Sequence, residues 1–175
     1  LAAFMGGLAL GNTVFGRLAD TTPKPLFVYG VLELGIAAWA GIFAAGWPAV
    51  AGLYLALGRG LGPESSGLLW IKLALGAALL LPPTALMGGT IPLLSRFIVA
   101  REDEIGAQVA LLYFLNTAGA VLGCAAAGFW WIEDFGLGGT LGIAAGLNCV
   151  VGAVTLALAL AEPPQEPEPR SAPAP

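Results

Sequence analysis

Residues 113–129 read YFLNTAGAVLGCAAAGF, a stretch without a charged side chain that decides the class of this protein. As a helix, it carries its small and polar residues on one side and its large apolar residues on another. A water-soluble helix needs a polar face, and this segment has none, so we predict a membrane-spanning helix with a packing face and a lipid face. The predicted packing face comprises Asn116, Gly119, Ala120, Gly123 and Ala127, and the lipid face comprises Leu111, Leu115, Leu122 and Phe129.

The composition supports a membrane protein. Apolar residues make up 58% of the chain and charged residues 10%, whereas soluble domains carry about 25% charged residues. The net charge of −4 offers no basic patch, so we expect no nucleic-acid partner. The chain has no histidine, and its two cysteines lie in apolar segments. We therefore predict no metal site, no catalytic residue and no cofactor within this segment.

Long apolar segments predict an all-α, multi-pass transmembrane bundle over residues 1–161. A membrane-spanning helix needs about 20 apolar residues, and residues 48–57 are too few, so we expect a re-entrant or interfacial helix there. Residues 162–175 are rich in proline and predict a linker or disordered tail. The segments predicted to be membrane helices are 1–18, 25–46, 67–94, 106–132 and 138–161.

Basic residues predict the orientation of the bundle, because cytoplasmic loops are enriched in Lys and Arg. Arg17 lies at the end of the first predicted helix and Lys24 in the loop after it, and Arg96 and Arg101 follow the third. If residues 48–57 do not cross the membrane, these two loops share one side with the C-terminus. We therefore expect the C-terminus to be cytoplasmic.

The third predicted helix contains Pro82 and Pro83, and proline removes a backbone donor and clashes with the preceding turn. We predict a kink, with the freed carbonyl groups satisfied by Thr84 or by a neighbouring helix. Such a broken helix lines a substrate path in some transporters. The alternative is a kink that only shapes packing.

Small residues recur at four-residue spacing in two further helices, which is typical of close helix contacts in membranes. In the first helix they are Gly7 and Gly11, and in the fifth they are Gly138, Gly142 and Gly146. We predict that both sets lie at helix–helix interfaces.

Glu33 is the acidic residue placed well inside a predicted span, about 12 Å beyond Pro25. An ionisable side chain within the membrane marks a functional site by default. We consider two interpretations: a proton carrier or ligand for a cationic substrate, and a neutral or paired acid that holds helices together. Asn116 is expected to form a hydrogen bond across helices.

Several strings, in their order and spacing, resemble the membrane domain of bacterial fused spermidine synthase-like proteins. The similarity covers nearly all of residues 1–161. The strings are LAAFMGGLALGNTVFGRLAD, YGVLELGIAAW, LLPPTALMGGTIPLLSRFIV, LLYFLNTAGAVLGCAAAGF and GLGGTLGIAAGLN.

The resemblance implies a transporter-like membrane domain in the bacterial plasma membrane that anchors a C-terminal, cytoplasmic aminopropyltransferase domain and passes or senses polyamines. It also implies a further helix before Leu1 and a catalytic domain after Pro175, so we expect this chain to be an N-terminally truncated segment. Two alternatives stay open. One is a fragment of a major-facilitator-like secondary transporter, and the other is a structural membrane anchor. In the transporter, the pathway would contain the broken third helix and the candidate residues Glu33, Asn116, Pro82, Pro83 and Thr84.

Overall fold

A computed structural model describes residues 1–62, 65–99 and 105–161, and within these ranges every regular element is helical. The all-helical class predicted from the sequence is therefore confirmed. Arg101 and the predicted tail at 162–175 lie outside the described residues. The elements are α1 (Ala2–Thr21), α2 (Pro25–Gly58), α3 (Ser66–Val99), α4 (Ile105–Ala126), a π-helical turn (Ala127–Trp131) and α5 (Ile132–Ala161).

Three helical stretches in the described part are long and apolar enough to cross a membrane: Pro25–Gly58, Ser66–Ile98 and Gly106–Ala161. The last contains α4, the π-helical turn and α5. The first predicted span corresponds to α1, which is not among the three and carries Arg17 and Asp20 near its end. The structure thus supports a membrane protein with long apolar helices.

The helical run from α4 to α5 turns back on itself. In an uninterrupted helix, Asn116 and Asn148 would be about 48 Å apart. Both nevertheless line one cavity. The backbone leaves helical geometry at Gly136, with φ 68° and ψ 179°, a conformation that glycine adopts without steric cost. The break falls between the fourth and fifth helices predicted from the sequence, at 106–132 and 138–161.

The separate short helix expected at residues 48–57 is not confirmed, because these residues continue α2 without interruption. α2 contains 34 residues, with Pro48 in its interior. Its length is therefore about 51 Å, well beyond the roughly 30 Å of a hydrocarbon core. A proline removes one hydrogen bond from a helix but does not by itself end it.

α1 and α3 run parallel and touch backbone to backbone. A Cβ atom added at Gly11 would collide with the carbonyl oxygen of Ala85, and one added at Gly88 would collide with that of Leu8. A Cβ atom at Gly7 would collide with the hydroxyl group of Thr84. Small residues permit this approach, and in a membrane such close packing holds helices together.

α2 and α5 run antiparallel and meet at a second pair of glycines. A Cβ atom at Gly152 would lie 3.0 Å from the carbonyl oxygen of Gly30, and one at Gly30 would lie 3.1 Å from that of Gly152. This contact, rather than the predicted glycine stripe of α5, joins the two helices. No described atom lies within 4 Å of the Cβ positions of the glycines predicted to pack in the last two helices, namely Gly119, Gly123, Gly138, Gly142 and Gly146.

One of the three prolines inside α3, Pro83, is accommodated by a neighbouring helix. Pro83 cannot donate a hydrogen bond to the carbonyl group of Leu79, four residues earlier. The indole nitrogen of Trp39, on α2, donates to that carbonyl oxygen at 3.1 Å. The Thr84 hydroxyl group donates to the carbonyl oxygens of Leu80 at 2.7 Å and Leu81 at 3.2 Å. Trp39 therefore supplies the partner that proline removes.

We expect Trp39→Phe to destabilise the protein by about 1 kcal/mol, because it leaves the Leu79 carbonyl group without a donor in an apolar setting. Denaturant titration in detergent measures the effect. Trp70→Phe is the matched control, since Trp70 is 68% exposed. Equal stability of the two variants would contradict a role for the indole donor.

Candidate functional site

A cavity of about 710 Å³ lies among all five α-helices. Its volume is within the range of small-molecule sites, about 300–1,000 Å³. Exposed residues, including Asn12, Tyr113 and Asn116, form part of its wall, so the cavity is open to its surroundings. The lining residues are Phe4, Met5, Leu8, Ala9, Asn12, Glu33, Ile36, Met87, Gly88, Thr90, Ile91, Tyr113, Asn116, Ala120 and Asn148.

All three asparagines of the chain line this cavity. They are Asn12 on α1, Asn116 on α4 and Asn148 on α5. Thr90 of α3 and Glu33 of α2 complete the polar wall. Each of the five α-helices thus contributes a polar group to the cavity wall. Polar groups inside a membrane are costly, so this cavity is the candidate functional site.

The cavity wall includes one acidic side chain, Glu33, and no basic side chain among the described lining residues. Glu33 is 8% exposed, and the hydroxyl group of Tyr29, one helical turn earlier, interacts with its carboxyl group. When ionised, the carboxylate gives the wall a net negative charge that no lining residue balances. The cavity is therefore suited to a cation rather than to an anion.

Two further kinds of group in the wall favour a positively charged ligand. The amide oxygens of the asparagines can accept hydrogen bonds from ammonium groups. Phe4 and Tyr113 contribute aromatic rings, whose faces attract cations. Carboxylate, amide oxygen and aromatic ring are groups that can each interact favourably with a positively charged amine.

An apolar cavity of about 250 Å³ lies next to the polar one and shares Ile36 and Asn148 with it. Trp39, Phe43 and Leu141 are among its other lining residues. A ligand with ammonium groups and methylene segments would fit the two cavities together. Its charged group would lie near Glu33, and its hydrocarbon would lie in the smaller, apolar cavity.

The structure brings together some of the residues singled out from the sequence and separates others. Glu33 and Asn116 line the same cavity. Thr84, 3% exposed, lies in the α1–α3 contact instead. Pro83 lines the smaller apolar cavity, and Pro82 lines neither of the two.

Sequence reasoning missed several residues of the cavity wall. The sequence patterns assigned no functional role to Asn12, Thr90 or Tyr113, which also line the cavity. One signal could have identified the site. The chain has three asparagines in three different apolar helices, and amide groups in such helices require polar partners.

Comparisons with protein families, curated proteins and solved structures gave no match to this chain. The resemblance to spermidine synthase-like membrane domains thus stays a prediction. Within the described ranges, no group of three His, Cys, Asp or Glu residues lies together as a metal site would require.

Proposed function

We propose that this protein is a multi-pass membrane domain whose central cavity binds a polyamine, as part of a spermidine synthase-like protein. One observation carries the proposal: a single carboxyl group and three amide groups from four helices face one open cavity without a basic residue in its described wall. An unbalanced carboxylate in a low-dielectric setting is stabilised by a bound cation. The neighbouring apolar cavity offers room for the methylene groups of a polyamine.

The proposal includes an orientation. We place the protein in the bacterial plasma membrane, with the loops after α1 and α3 and the C-terminus on the cytoplasmic side. Arg17, Lys24 and Arg96 lie at that end of the helices and support this assignment through the positive-inside rule. A C-terminal aminopropyltransferase domain, implied by the resemblance, would then lie in the cytoplasm.

The proposal also gives the proline pair a role. We propose that Pro82 and Pro83 kink α3 between the two cavities, so that movement about this point changes access to Glu33. The hydrogen bond from Trp39 to the Leu79 carbonyl oxygen supports this idea, because it leaves one side of the kink anchored to α2.

Glu33→Gln tests the proposed function. We expect spermidine to bind the purified protein in detergent, and we expect Gln to raise Kd at least tenfold, a loss of about 1.4 kcal/mol. Gln keeps the size and hydrogen bonding of the neutral acid, so the melting temperature should stay close to that of the original protein. Isothermal titration calorimetry measures the binding.

Asp20→Asn is the matched control, because Asp20 is exposed near the end of α1 and does not line the cavity. It should bind spermidine as the unchanged protein does. An unchanged Kd in Glu33→Gln would contradict the assignment, and so would the absence of spermidine binding by the unchanged protein. Uptake of labelled spermidine into proteoliposomes then separates transport from sensing.

A further inference from the structure

The ends of α2 and α3 that lie away from the proposed cytoplasmic side form a third cavity, separate from the two described above. The two helices stay packed to this end, since a Cβ atom at Gly58 would lie 2.9 Å from Leu68 Cδ2. The cavity has a volume of about 420 Å³ and shares no residue with the polyamine site. Its lining residues are Tyr54, Leu55, Gly58, Arg59, Leu61, Leu68 and Lys72.

This tip cavity is positively charged. Arg59 and Lys72 line it, and no acidic side chain is among its described lining residues. The Lys72 ammonium nitrogen lies 5.9 Å from the centre of the Tyr54 ring, so a cation–π contact holds one charge in place. Two basic groups around one cavity are the arrangement that binds a phosphate group.

The length of the hairpin indicates where this cavity lies. α2 and α3 contain 34 residues each, so each helix is about 51 Å long. If they stood upright from Pro25, their ends would protrude into water. Those ends carry Leu55, Leu69 and Trp70, which are 65%, 56% and 68% exposed. Exposing such surface to water is unfavourable, so a tilted hairpin with its tip at the lipid headgroups is favoured.

We propose that the tip cavity binds the headgroup of an anionic phospholipid. The Arg59 guanidinium group forms paired hydrogen bonds with the phosphate oxygens, and the Lys72 ammonium group adds a second charge. The acyl chains lie along the exposed leucines of α2 and α3. Basic pockets between membrane helices recognise headgroups by this chemistry. The bound lipid fixes the tilt and depth of the hairpin.

The test compares lipid retention in the purified full chain by native mass spectrometry. The protein is exchanged into vesicles of equimolar phosphatidylglycerol and phosphatidylcholine and then extracted. We expect retained phosphatidylglycerol to exceed phosphatidylcholine by roughly tenfold, and we expect R59Q/K72Q to abolish this preference. R59K/K72R keeps both charges and should retain it. R17Q/K24Q removes two basic groups at the opposite end of the bundle and serves as the matched control.

Three outcomes would overturn the proposal. One is equal retention of the two lipids by the unchanged protein. Another is loss of the preference in R17Q/K24Q but not in R59Q/K72Q. The third is displacement of phosphatidylglycerol by millimolar inorganic phosphate, which would assign the cavity to a free anion. If R59Q/K72Q does not fold, loss of the preference in well-folded R59Q or K72Q alone supports the proposal, and an unchanged preference in both overturns it.

Discussion

Gly11→Ala is expected to separate α1 from α3 and to destabilise the protein by about 2–3 kcal/mol. The added methyl group would overlap the carbonyl oxygen, the carbonyl carbon and the Cα atom of Ala85. These are backbone atoms of a packed helix, so the clash cannot be relieved by rotating a side chain. The two helices must move apart along a contact that depends on close approach. Unfolding by denaturant in detergent measures the loss.

Gly6→Ala on the same helix is the control for this prediction. No described atom lies within 4 Å of the Cβ position of Gly6, and alanine is the better helix former. We expect this variant to be as stable as the unchanged protein or slightly more so. If Gly11→Ala proved equally harmless, the close α1–α3 contact would be wrong.

The effect of Gly11→Ala should extend to the proposed polyamine site. Asn12 lines the cavity and is adjacent to Gly11, and Leu8 and Gly88 both line the cavity and touch one another across the α1–α3 contact. Any Gly11→Ala protein that remains folded should therefore bind spermidine more weakly. Gly6→Ala should bind it normally, because Gly6 lies outside the cavity wall.

Gly152→Leu is expected to detach α5 from α2, with a loss of about 3 kcal/mol. The new side chain would have to occupy the space of Leu34, whose Cγ and Cδ2 atoms lie 2.8 Å from the Cβ position of Gly152. The carbonyl oxygen of Gly30 lies 3.0 Å away on the opposing helix and leaves little room for adjustment. The fraction of monodisperse protein after extraction, together with denaturant unfolding, measures the outcome.

Gly142→Leu makes the same substitution on the stripe that the sequence predicted to pack. In the described structure nothing lies within 4 Å of the Cβ position of Gly142, so we expect little change. Both variants replace glycine by leucine on the same helix. They differ only in the atoms that the added side chain contacts. A larger loss of stability in Gly142→Leu than in Gly152→Leu would indicate that α5 packs through the glycine stripe and not through the observed contact.

The cavity could be predicted in part. Glu33 stood out because a carboxyl group is costly among apolar residues, and Asn116 stood out for a similar reason. The sequence did not show that the two residues line one cavity, because they lie on different helices and are 83 positions apart in the chain. The hydrogen bond of Trp39 could not be predicted from the sequence either, because its acceptor is a backbone carbonyl group 40 residues away.

The sequence by itself determined that the chain is helical, that its long segments are apolar enough for a membrane, and that the chain turns back near Gly136. These properties depend on local composition and on segment length. Only the tertiary structure decided which faces meet: Gly11 with Ala85, and Gly152 with Gly30. The reason is physical. In helices that are apolar on every side, hydrophobicity does not distinguish a packing face from a lipid face, and the choice depends on shape complementarity between surfaces distant in sequence.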